Sequence, residues 1–386
     1  MSIQRILSTI IFLTCFATST VFANENEAIA KDKLADAVAT IQKVGLNGQG
    51  HEEAVLAMRV LNQAKPEQIP VILEGMDDEN KLAVNWLRGA VIKIVGGGAN
   101  LPRKQIQEFF DDKERSHLGR LLAFDLLTDG NEKLSNEIIP TLVDDPSLPL
   151  RYKAIGHLMD KAKSADSIEA IGMLGYALDK ARDVNQVINI TKALDEKGVA
   201  VDLQKQLGFI NNWQLVGNFD NKDEKGYDVA YGPEKSLSEI DAEAKYKGND
   251  EAEVSWESHN TTEPTGLVDL NKAIGKIKGV IVYAAANYES DADRTADIRI
   301  GCINAHKVWV NGNLVMANEI YHNGISPDKF VGQAELKKGD NQILIKVCQN
   351  EQTESWAQRW QFQLRICDET GKAFRPKSNE QARGGN

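Results

Sequence analysis

Histidine and cysteine are scarce in this chain, and what they fail to form is informative. Its 386 residues hold six His and four Cys. None of His51, His117, His157, His259, His306 and His322 is paired with another His or a Cys at metal-ligand spacing. The "HEEAV" at 51–55 lacks the second His of a zinc-protease helix, and no Gly-x-Ser-x-Gly elbow occurs. "VGGGAN" has neither the Lys of a P-loop nor a strand before it, so it reads as a helix stop. Clustered Lys and Arg are also missing, and with a net charge of -11 this excludes a nucleic-acid partner. After the N-terminal stretch, no run approaches the ~20 apolar residues that a membrane-spanning helix needs.

The N-terminus is the exception to this plainness. "MSIQRILSTIIFLTCFATSTVFA" has an early Arg5, a short apolar core from Ile6 to Phe16, and small or apolar residues at Val21 and Ala23, which predicts a signal peptide over 1–23 and a secreted or periplasmic protein. Thr14 before Cys15 fits a lipidation site poorly. Beyond the signal, Cys302, Cys348 and Cys367 remain, and both buried thiols and one disulfide with a thiol left over are compatible with an export compartment.

From about 24 to 208 the apolar period is helical. In "KLAVNWLRGAVIKIV", Ala83, Leu87, Ala90, Val91 and Ile94 share one face, and Gly96, Gly97 and Gly98 end the helix. Asp-Asp pairs at 77–78, 111–112 and 144–145 recur at steps of 34 and 33 residues, each between an apolar helix and a second helix bearing Arg88, Arg120 or Arg151. An Asp at a helix start satisfies free backbone N–H groups, which accounts for the pairs without a cation. These segments resemble HEAT-like repeats over roughly 50 to 165. The resemblance implies an α-solenoid with an extended surface for a protein partner.

Past residue 208 the period changes to two. Five of the six Trp and six of the eight Tyr lie beyond residue 211. About nine short strands separated by turn residues predict an antiparallel β-sandwich over 211–375, with a disordered tail at 376–386. In "RWQFQLRIC", Trp360, Phe362, Leu364 and Ile366 face one way while Gln361, Gln363 and Arg365 face the other. "HKVWVNGNLV" reads as a hairpin closed by Asn311-Gly312, where Asn311 serves the turn. Together with "WQLVGNF", "YGPE", "VSWES" and "LKKGDNQILIKV", these segments resemble the galactose-binding-like jelly roll of large secreted bacterial proteins and, more distantly, the sugar-binding domain of family 2 glycoside hydrolases. The fold class expected is therefore multidomain α plus β, a HEAT-like α-solenoid followed by a jelly-roll β-sandwich.

Domains of this jelly-roll family bind carbohydrate through loops at one end or brace a neighbour, and the resemblance carries over no sugar-contacting position. Sugar rings present C–H faces that stack on aromatic rings. On that ground Trp356 and the loop "YHNGISPD", with Tyr321, His322 and Asn323, are the candidate ligand platform. "ESDADR", with Asp291, Asp293 and nearby Asp297, is the candidate for a structural Ca²⁺, against the reading of a solvated loop. "FDNKDEKGYD" at 219–228 is equally acidic and reads as a solvated loop. Three functions follow in order: a non-catalytic exported scaffold with a ligand-binding or bracing sandwich, a carbohydrate-binding protein, and a hydrolase with paired carboxylates in a cleft.

Overall fold

The computed structural model describes residues 31–76, 79–96, 101–237 and 240–374. The signal segment, Cys15, the Asp77–Asp78 pair, Gly97–Gly98 and the tail lie outside these residues. The described chain combines helices with antiparallel sheets and divides into two compact units, 1–164 and 165–386.

The first unit is helical. Its helices are α1 (31–41), α2 (His51–Leu61), α3 (Ile69–Glu74), α4 (Lys81–Gly96), α5 (Arg103–Asp111), α6 (His117–Thr128), α7 (Glu132–Ile138) and α8 (Leu148–Ser164). In α1, Leu34, Val38 and Ile41 are buried at i, i+4 and i+7, and α4 buries the Ala83–Ile94 face that its period predicts. Neighbours pack directly, α5 and α3 each on α6. Gly119 at the start of α6 permits this, because a Cβ there would stand 2.5 Å from the Leu73 carbonyl oxygen.

The acidic turns do more than cap. Asp112 accepts from the Glu114 N–H at 3.2 Å and pairs with Arg115. Asp145 is almost fully buried, accepts from the Ser147 N–H at 2.9 Å, and is gripped by both guanidinium nitrogens of Arg120 at 2.7 and 2.8 Å. Arg120 also donates to the Phe110 carbonyl, and Arg151 to the Asp145 carbonyl. The second Asp of the third turn therefore ties α5, α6 and α8 together.

The second unit opens with α9 (Ser167–Lys180), α10 (Val184–Asp195) and α11 (Leu203–Leu207). There follow β1 (Asn212–Asp220), β2 (Lys245–Lys247), β3 (Glu253–Ser255), β4 (Glu257–Asn260), β5 (Val268–Asp269), the short helix α12 (Leu270–Ala273), β6 (Val280–Ser290), β7 (Arg294–Cys302), β8 (His306–Val310), β9 (Asn313–Asn318), β10 (Phe330–Leu336), β11 (Gly339–Gln349) and β12 (Gln361–Cys367). Two antiparallel sheets face each other, one ordered β4-β1-β6-β11-β8-β9 and one β10-β7-β12-β5, with β2-β3 a separate hairpin.

Alternation decides which side chains meet between the sheets. Val280, Val282 and Ala284 of β6 and Ile343, Ile345 and Val347 of β11 pack there against Ile298, Ile300, Phe362 and Leu364. Their neighbours Ile281, Tyr283, Leu344 and Cys348 point to the outer face of the larger sheet, where Tyr227, Tyr231, Tyr246 and Trp256 from the segment after β1 cover them in a second apolar layer. Burial on both faces explains why "VIVYAAA" and "ILIKV" are nearly continuous apolar runs. Cys302, Cys348 and Cys367 are buried free thiols, and burial pushes Cys302 and Cys348 up to about 12. Among the described residues no helix is long and apolar enough to cross a membrane.

Candidate functional site

Loops from four parts of the second unit's chain converge at one end of the sandwich. Residues 221–228 follow β1, 303–305 join β7 to β8, 319–329 join β9 to β10, and 350–360 join β11 to β12. Fully buried Asn221 donates to the Tyr321 hydroxyl and to the Gln349 carbonyl, both at 3.1 Å. The Tyr321 hydroxyl, pushed up by burial, stays protonated. Asn304 bonds the Gln349 side chain at 2.8 Å and accepts from the His322 N–H at 3.2 Å. This amide network is the floor on which the outer loops stand.

Above it lies an open cleft of about 490 Å³. Its walls carry four carboxylates, Asp223, Glu224, Glu351 and Glu354, with Asn350 and Gln352 as amides. Asp223 and Glu224 sit in a turn at left-handed φ of 56° and 61°, and the Asp223 N–H donates to Glu351 Oε2 at 2.9 Å, which fixes one wall to the other. Asn350, 3% exposed, donates to Glu224 Oε1 at 2.9 Å and holds His322 Nε2 at 2.8 Å through its Oδ1. The Lys225 ammonium, 3.0 Å away, holds the Asp223 carboxyl below the usual carboxylate range.

Trp356 stands on the same loop, two residues beyond Glu354. It is 59% exposed, and its ring meets that of His322 edge-on, centroids 5.2 Å apart at 88°. His322 in turn neighbours the Tyr321 ring at 6.3 Å. Of the four ligand candidates, the structure brings Trp356, His322 and Tyr321 together beside the cleft. Asn323 is held through its backbone, its N–H on the Ile303 carbonyl and its own carbonyl taken by Lys329.

The proposed Ca²⁺ loop does not assemble. Asp291 pairs with Arg294, Asp293 accepts from the Lys338 N–H at 2.7 Å, and Asp297 lies on β7 in an ion pair with Arg299 at 2.8 Å. Each carboxylate is committed to a different donor, and among the described residues no three His, Cys, Asp or Glu side chains gather to hold a metal ion. The reason is alternation along a strand, which turns Asp297 onto the sheet face while the other two remain in the turn.

Asp223, Glu224, Asn350, Glu351 and Glu354 do not stand out as site residues in the sequence. The available signal is "NEQTESW" at 350–356, a carboxylate- and amide-rich run ending on a tryptophan. Its counterpart "FDNKDEKGYD" lies some 128 positions away, as the Asp223–Glu351 contact records.

No protein-family model and no curated protein matches the chain. Among solved structures it is similar to a β-glucosidase from Kluyveromyces marxianus in complex with glucose, at 13% identity and a TM-score of 0.25 over 42% of this chain and 17% of that one. It is similar also to a family 35 carbohydrate-binding module from Clostridium thermocellum, at 16% identity and a TM-score of 0.16 over 22% of this chain and 78% of the module. A third likeness is to a β-glucuronidase from Faecalibacterium prausnitzii, at 14% identity and a TM-score of 0.19 over 36% of this chain and 21% of that one. The chain spans less than a quarter of the length of either enzyme. Likenesses this faint carry no weight for function, which is argued below from the cleft.

Proposed function

We propose that the protein is an exported, non-catalytic binding protein whose β-sandwich holds a carbohydrate in the cleft beside Trp356. The observation that carries this is an indole left 59% exposed on the loop that forms one wall of a carboxylate- and amide-lined cleft, against His322, which bonds the cleft residue Asn350. Sugars need that combination, an apolar platform for C–H faces and directional polar groups for hydroxyls. The rigid amide floor supplies preorganisation, since Asn350 positions both Glu224 and His322 before any ligand arrives. Export rests on the signal segment at 1–23.

A glycan-array screen of the full-length protein, repeated with Trp356→Ala, tests this. Selective binding that falls by at least about tenfold in the variant is expected, the equivalent of about 1.4 kcal/mol. Binding unaffected by the variant, or no binding to any glycan, overturns it. A turnover assay on any glycan that binds should recover it intact, and release of a cleaved product overturns the non-catalytic reading.

For the helical unit, the reading of HEAT-like repeats with a protein partner is favoured by α2, which leaves Val55, Leu56 and Val60 exposed. Copurification lost on replacing Leu56 and Val60 by Ser is the expected result.

A further inference from the structure

One end of the inter-sheet core closes on a histidine outside the cleft. His306 opens β8 and is 1% exposed. Alternation along β8 turns it the same way as Val308 and Val310, between the two sheets. The Asn304 carbonyl, which can only accept, takes the Nδ1–H of the ring at 3.0 Å. The hydrogen therefore sits on Nδ1, and Nε2 keeps the lone pair that faces the Asn318 amide nitrogen at 3.3 Å. From the opposite sheet, the Phe330 ring meets the imidazole with centroids 4.8 Å apart.

These contacts grip both ends of one loop. Asn318 ends β9 and Phe330 begins β10, so 319–329 leaves and returns beside the same imidazole. Asn304 is a third support, because its Oδ1 accepts from the His322 N–H while the neighbouring Ile303 carbonyl accepts from the Asn323 N–H. We infer that His306 is an acid-sensitive clamp, and that the 319–329 loop, with Tyr321 and His322, is released as pH falls below neutrality.

The surroundings of the ring favour its neutral form from every side. In the turn before β8, the Cys302 thiol donates to the same Asn304 carbonyl and stays protonated, pushed up to about 12 by burial. Lys307 points to the outer face and pairs with Asp228. On β11, Val347 stands opposite His306, and Lys346 lies on the outer face with Glu234. Beyond Asn318 comes the exposed Glu319, and before Phe330 comes Lys329, whose ammonium is taken by the Asn323 and Gly324 carbonyls. Among the described residues no carboxylate bonds the ring. Burial holds the imidazole below its ordinary value, and the Asn304 carbonyl offsets only part of this. A proton on Nε2 would confront the amide hydrogens of Asn318 and leave a charge between the sheets. A base depressed in this way stabilises the closed loop fully above about pH 6.5, the ordinary imidazole value, and loses that contribution as pH falls below it.

Hydrogen exchange of the ligand-free, full-length protein, read by NMR at the His322 and Asn323 amides and corrected for intrinsic rate, tests the clamp. Protection at both amides should fall about tenfold between a pH of about 7 and one of about 5, a window above the usual carboxylate range. His306→Gln should make protection independent of pH, whatever its level. Asn318→Asp offers the protonated ring a carboxylate and should preserve protection at the lower pH. His322→Gln removes the loop's other imidazole and should leave the response at Asn323 in place.

Equal protection at the two pH values in the parent protein overturns the clamp. So does a fall that persists in Asn318→Asp or in a folded His306→Gln, and so does a response lost in His322→Gln, which would assign it to that ring. No glycan enters the measurement, so the clamp and the binding reading stand or fall separately.

Discussion

Arg120 and Asp145 are charged, yet each is about 1% exposed, and their fate shows what a single residue contributes to the helical unit. Burial pushes the Asp145 carboxyl up, but the Arg120 guanidinium and the Ser147 N–H outweigh it and hold the group below the usual carboxylate range. Removing one partner strands the other in apolar surroundings, so Asp145→Asn or Arg120→Met should cost about 3–5 kcal/mol. The double variant Arg120→Met/Asp145→Leu should recover most of that, because a matched apolar pair leaves no unpaired charge. Urea unfolding of the three variants measures it, and additive losses would sink the idea. The pH dependence has a definite sign. A carboxyl whose folded pKa is depressed stabilises above its unfolded pKa and loses that contribution as pH falls through the folded value. The gap between the parent protein and Asp145→Asn should therefore be full at pH 7 and shrink only below about 4. Sequence spacing locates this turn and reads its Asp as a cap. It does not show the Arg120 grip, because the two residues lie 25 positions apart and meet only when α6 and α8 pack.

At the scale of elements, the hairpin between β8 and β9 is built on Asn311 at φ 49° and Gly312 at φ 82°, the pair of left-handed angles that a tight two-residue turn requires. A Cβ added at Gly312 would meet nothing nearer than the Leu237 carbonyl at 3.5 Å, so space is not the constraint. Backbone conformation is, and Gly312→Ala should destabilise the second unit by about 1–2 kcal/mol without touching the cleft. Equilibrium unfolding checks the cost, and an unchanged midpoint would contradict it. Asn311 also donates to Asn341 Oδ1 at 2.8 Å and accepts from the Gln342 N–H at 3.0 Å, so it fastens the turn to β11. Turn chemistry is local and therefore legible in sequence. The polar side of β12 is legible only in part. Gln363 and Arg365 do point away from the core, yet both are buried, since Arg365 donates to Asp328, to the Leu207 carbonyl and to the Gly371 carbonyl. Period two tells which face a residue takes and says nothing of what covers that face. The cleft is hidden for the same reason. Trp356 and His322 stand out as aromatics among polar neighbours, whereas its acidic walls come from two loops that only the folded sheet brings together.

At the scale of the whole molecule, the change of period near residue 208 and the boundary between compact units do not coincide. The helices α9 to α11 fall with the sandwich, which begins at 165 as a compact unit. Contacts explain why. Leu207 at the end of α11 is 2% exposed, Gly208 at φ 72° lies against Ile366 and Ala373, and Phe209 bridges to Arg365. Farther back, Arg182 between α9 and α10 donates to the Thr370 hydroxyl at 3.3 Å. A chain cut at the change of period would expose the surface that α11 covers and strip the fully buried Arg365 guanidinium of one acceptor. Burial of one Leu alone is worth about 1.5–3 kcal/mol. The 165–374 segment should therefore unfold at a higher urea midpoint than 211–374, by at least about 2 kcal/mol in stability, with a single transition. Equal midpoints would mean that the three helices are merely appended. A higher midpoint would mean instead that the sandwich presents its cleft from a base that includes them, and binding studies on the isolated second unit should start at 165.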